Sequence, residues 1–114
     1  MLVDHIMIPF RVAINDVGAT TNTNAKIFPI LRLALIQIFN DVPEVRIQDN
    51  GTRASIPEQF TALSDVVPLP EEYLMPAIDY SAYRYFLGDS GSARDEARAK
   101  EHLSSYNRFM NPQE

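Results

Sequence analysis

Fifteen acidic against ten basic residues give this chain of 114 a formal net charge of −5, which argues against a protein that coats DNA with a basic face. It has no cysteine, so disulfides, thiolate metal sites and cysteine nucleophiles are excluded. An apolar share of 46% suffices for a core, no stretch approaches the ~18 apolar residues of a membrane span, and Met1 to Asp4 lack the basic flank of a secretory signal. The expectation is a single soluble acidic domain over residues 1–114.

In chain order, Val3, Ile6, Met7, Phe10 and Ile14 alternate at spacings of three and four, the period of an amphipathic helix. Pro9 falls within it, so the helix either kinks there or starts near it. Thr20 to Asn24 read as a loop, because their short polar side chains compete for the backbone. From Ile27 to Asp41 the chain is apolar nearly all round, interrupted by Arg32, Gln37 and Asn40. Such a helix is buried on every side. Either it is a central core helix or another subunit covers one face, which makes Phe28, Leu35 and Phe39 candidates for a subunit interface.

Glu44 to Gln48 alternate and lead into Asp49-Asn50-Gly51-Thr52, a turn sequence that predicts a small β-hairpin returning through Arg53 to Ile56. Val66 and Val67 could add a third short strand. Pro70, Glu71 and Glu72 suit a helix start, with Pro76 expected to bend the helix seven residues in. After a break at Gly88 to Ser92, a last helix runs from Ala93 to Met110, with Ser92 and Asp95 resembling a capping box. The short break predicts an antiparallel helical hairpin whose core is Tyr73, Ala77, Tyr80 and Leu87 against Ala99, Leu103 and Tyr106. The fold class expected is mainly α: a four-helix, bundle-like single domain with a small β-hairpin.

No catalytic constellation emerges. His5 and His102 stand in no metal spacing, the four glycines form no phosphate loop, and the serines sit in no nucleophile elbow. The expectation is no enzyme, no cofactor and no metal. Arg94, Arg98, Lys100 and Arg108 are interleaved with acids along the last helix, as on a solvated face or an ion-pairing interface. Tyr80, Tyr83, Tyr85 and Phe86 cannot share one helical face, so one or two should point away from the bundle. Tyr83, Tyr85, Arg94 and Arg98 join the interface candidates on that ground.

Leu69-Pro70-Glu71-Glu72-Tyr73, Pro76-Ala77-Ile78 with Asp79-Tyr80, Tyr83-Arg84 and Asp89 together resemble the small head-to-tail adaptor proteins of tailed bacteriophages. The alanine- and arginine-rich segment Ala93-Arg94, Ala97-Arg98-Ala99, His102-Leu103 and Phe109 continues the likeness. Leu31 to Ala34, Val42-Pro43 and the glycine turn at Gly51 extend it upstream, so that it spans about 27–110. The chain departs from the family at Phe28, where a tryptophan is common, and in Leu31-Arg32-Leu33-Ala34. The resemblance implies a structural virion protein, assembled in the host cytoplasm and placed in the neck between head and tail. It would form a homo-oligomeric ring, a dodecamer in the usual case, below the portal protein. That ring would dock tail or neck proteins and extend a channel through which DNA passes without specific binding; no membrane is involved. The alternative is a small helical protein-interaction or regulatory module unrelated to virions.

Overall fold

The computed structural model describes residues 1–15, 22–47, 51–88 and 93–111, with Ala93 and Arg94 described as backbone only. Among them are four α-helices: α1 (Val3–Ala13), α2 (Asn24–Asp41), α3 (Leu74–Gly88) and α4 (Ala93–Met110). Short 3-10 turns occupy Pro43–Arg46 and Glu71–Tyr73. The mainly helical class expected from the sequence is what the structure shows.

α3 is the hub, packed by α1, α2 and α4. α4 runs antiparallel to it, since Tyr73 meets Phe109 at one end and Phe86 meets Arg98 at the other. α2 carries seven buried residues: Ile27, Phe28, Leu31, Ala34, Leu35, Ile38 and Phe39. Thr23 caps its start, its hydroxyl accepting from the Lys26 N–H at 3.3 Å, so the helix begins three residues before the apolar run. The far side of the core is closed by an extended segment that buries Ala54, Phe60, Val67 and Leu69. Arg32 pins this segment to α2, its Nε donating to the Pro57 carbonyl at 2.7 Å.

α1 runs through Pro9 from Val3 onward, and its buried stripe is the one the spacing predicts. Its first turn has an unusual cap. Leu2 offers no side-chain acceptor, so backbone carbonyls from a remote loop serve instead: Asp65 accepts from Val3 N–H at 2.9 Å and Leu63 from Asp4 N–H at 3.0 Å. The His5 Nδ1 accepts from Leu2 N–H at 3.1 Å. The loop is held in shape by the Asp65 carboxylate, which accepts from the backbone N–H of Thr61 at 2.7 Å and of Ala62 at 3.1 Å. Those bonds, Thr61 first, hold the Asp65 carboxyl below its ordinary range.

Four expectations are corrected. The β-hairpin does not form: Pro43 starts a 3-10 turn through Arg46, which consumes the residues meant for the first strand, and a single bridge between Ile47 and Arg53 remains. Asp49 and Asn50 of its turn lie outside the described residues, as does Ser92 of the expected capping box. Val66 bridges to Leu2 instead of joining a sheet. Pro76 does not bend a helix interior, because α3 starts at Leu74 and places Pro76 in the first turn, where its missing N–H has no intrahelical partner to lose. Leu87 is not in the hairpin core: it is 50% exposed near the end of α3.

The molecule is a slab of 45 × 36 × 19 Å. Its thickness is about two helix diameters at most. Leu35, 1% exposed, is central to it. Leu35→Ala should cost about 2–5 kcal/mol, whereas Leu87→Ala should stay within about 0.5 kcal/mol, both read by urea unfolding. Asp65→Asn should lower stability at neutral pH. Because the folded carboxyl titrates below its ordinary 3.8, the wild-type advantage is full above that value and disappears as pH falls through the folded pKa. Unfolding curves of both proteins across this acid range should therefore converge.

Candidate functional site

The α3–α4 interface is a ladder of aromatic and polar contacts. Tyr73 packs edge-on against Phe109 with ring centres 5.7 Å apart, and Tyr80 sits between Tyr83 at 5.4 Å and Tyr106 at 5.1 Å. Burial, followed by the charges of Glu72 and Glu44, raises the pKa of the Tyr73 hydroxyl. Ala77 and Ala99 are buried, which lets the two helices approach, and Leu103 is half-buried beside them. Six of the seven residues expected in the hairpin core thus lie buried or half-buried, with Leu87 the exception.

Two polar pairs made by α4, one with α2 and one with α3, carry no local sequence signal. The Tyr106 hydroxyl donates to the Asp41 carboxylate at 2.5 Å, while Gln37 Nε2 donates to both Asp41 oxygens at 3.1 Å. Burial and this carboxylate acceptor push the Tyr106 pKa far up, so the hydroxyl remains a donor. The bond ties the last turn of α2 to α4. Second, His102 Nδ1 lies 3.0 Å from Asp79 Oδ1, and its ring stacks on Phe86 with centres 5.9 Å apart. His102 and Asp79 are 23 residues apart on antiparallel helices, a pairing that no local spacing reveals.

The interface candidates fare differently. Phe28, Leu35 and Phe39 are buried within the chain itself: Phe28 borders the stretch from Glu58 to Thr61, and the Arg46 guanidinium lies over the Phe39 ring at 5.3 Å. They are therefore withdrawn as interface residues. Tyr83 and Tyr85 are half-buried, and neither points clear of the molecule, since α3 is packed by three other helices rather than one. Tyr85 meets Phe10 of α1 edge-on at 6.1 Å, and its hydroxyl accepts from Asn22 Nδ2 at 2.9 Å. Arg98 lays its guanidinium over Phe86 at 5.5 Å. The side chain of Arg94 lies outside the described residues.

Among the described residues, the large apolar side chains left open lie elsewhere and include Val66 at 65% and Ile47 at 58% exposed. Ile8 and Val12, four residues apart on the outer face of α1, are each 63% exposed. They line a shallow cavity with Leu63 and Asp4, and Ile8 also borders a second one with Glu71 and Leu74. The sequence pattern of α1 marks these positions only as falling off the buried stripe. A second groove, between the start of α2 and the end of α3, is lined by Lys26, Ile30, Leu33, Arg84 and Tyr85. Among the described residues no three His, Cys, Asp or Glu side chains gather where a metal could bind, and no helix is long and apolar enough to cross a membrane.

No family model, curated protein or solved structure matches the chain. Tyr106→Phe should cost about 1 kcal/mol, because the exposed Asp41 recovers water when its donor is removed. Thermal unfolding of the variant measures it, and an unchanged midpoint would remove this bond from the contacts that hold α2 to α4.

Proposed function

We propose that the protein is a head-to-tail adaptor of a tailed bacteriophage, forming a ring of like subunits below the portal that extends the DNA channel and docks the tail. The observation that carries this reading is the apolar outer face of α1, where Ile8 and Val12 stand 63% exposed on a slab 19 Å thick. An open apolar ridge of this kind marks an interaction surface. A thin subunit packed edge to edge builds a wall around a lumen with little protein.

Three further points support the reading. The resemblance to phage adaptors runs through the residues of α3 and α4, and in this fold those residues form one tightly packed helical hairpin. The aromatic ladder makes that hairpin a stiff unit, as a load-carrying joint needs. The net charge of −5 suits a channel through which DNA slides, since like charges do not adhere.

Electron microscopy of the particle neck tests the proposal. A ring of copies between portal and tail is expected, and particles built with Ile8→Asp/Val12→Asp should lack it while the purified variant stays folded by circular dichroism. Absence of the protein from the neck, or its presence there as an isolated copy, would overturn the reading.

A further inference from the structure

The groove between α2 and α3 holds two cations. Lys26 and Arg84 are both exposed at its rim, and among the described residues neither side chain has an ion-pair or hydrogen-bond partner. The lining between them includes Ile30 and Leu33. At the opposite end of α3, Glu71 and Glu72 are exposed in the 3-10 turn that precedes the helix, and among the described residues neither side chain has a hydrogen-bond or ion-pair partner. Thirteen residues separate Glu71 from Arg84, roughly 20 Å at the helical rise. Glu71 borders the cavity that also exposes Ile8.

We infer that the groove of Lys26 and Arg84 receives the Glu71–Glu72 turn of a second copy of this chain. The inference rests on the ring reading and names the contact that would build it. The two surfaces match in kind: a basic rim around Ile30 and Leu33 faces an acidic edge that carries Ile8. They lie at opposite ends of one helix, so a copy that offers its turn still has its own groove free. Contacts of this head-to-tail type propagate and close into a ring when the rotation per copy allows. DNA fits the groove less well, because two cations over an apolar lining give few phosphate contacts and the chain as a whole repels a polyanion.

Charge reversal tests the pairing. Lys26→Glu/Arg84→Glu reverses the groove, and Glu71→Lys/Glu72→Lys reverses the turn. All four positions are exposed, so both variants should keep the wild-type fold by circular dichroism. By sedimentation velocity at low salt, each variant alone should self-associate about tenfold more weakly than the wild type. In an equimolar mixture every groove meets a turn of opposite sign, and association should return to within about threefold of the wild type. A mixture no stronger than its components would overturn the contact. So would reversals that leave association unchanged, a wild type monomeric at every concentration, or a groove reversal whose only effect is to abolish retention on DNA. The neck reconstruction reads the adaptor assignment separately: a ring in the neck with indifferent reversals rejects only this contact, and charge-matched association without a neck ring rejects only the adaptor.

Discussion

Burial of α2 is the constraint on which the rest of the structure depends. A helix with apolar side chains on nearly every face has to be covered from several directions, and a small chain has few elements with which to do it. α3 covers one side. Another part is covered by a stretch with little regular structure, which places Ala54, Phe60, Val67 and Leu69 in the core and is pinned by Arg32 to the Pro57 carbonyl. Extended backbone suits this task because it follows an uneven helix surface with single side chains. The same demand explains why residues written with a strand-like alternation do not form a sheet: once the chain must lie along α2, no partner strand remains for it.

Much of the fold is legible in the sequence because the helices carry a clear period. Val3, Ile6, Met7 and Phe10 of the first helix and Ile14 at its end are all buried as their spacing predicts, and α4 spans Ala93 to Met110 as expected after the break at Gly88. What local pattern does not encode is which helix stands beside which. With only a hairpin in view, Tyr80, Tyr83, Tyr85 and Phe86 have too many faces to satisfy. With α1, α2 and α4 all on α3, each finds a wall, and Tyr85 finds Phe10 and Asn22 in addition. Phe28 and Phe39 are covered in the same unforeseeable way, by the stretch from Glu58 to Thr61 and by Arg46, which carry no period to reveal the contact.

The candidate surfaces leave a weaker trace in the sequence than the core does. Ile8 and Val12 are ordinary residues of an amphipathic helix until the structure shows that nothing lies over them. Lys26 and Arg84 are 58 positions apart, and only the antiparallel arrangement of α2 and α3 brings them to one groove. Conversely, the basic residues that are densest in the sequence do not define a surface of their own: Arg98 is used over Phe86, within the hairpin. Density along the chain is a poor guide to charge in space when helices interleave acids and bases.

The cap on α1 also sets an order of events. Its first N–H groups are satisfied by the carbonyls of Leu63 and Asp65, which lie more than half the chain further on. A helix of 11 residues is marginal by itself in water. During synthesis α1 therefore emerges before the loop through Asp65 and α3, and its buried stripe stays uncovered until both have followed. Closing that long span costs chain entropy before any contact repays it, which makes the docking of the first helix a late step in folding. The ridge of Ile8 and Val12 takes its final place only with that step, so this apolar face exists in its folded form only once the segments that hold α1 have been made.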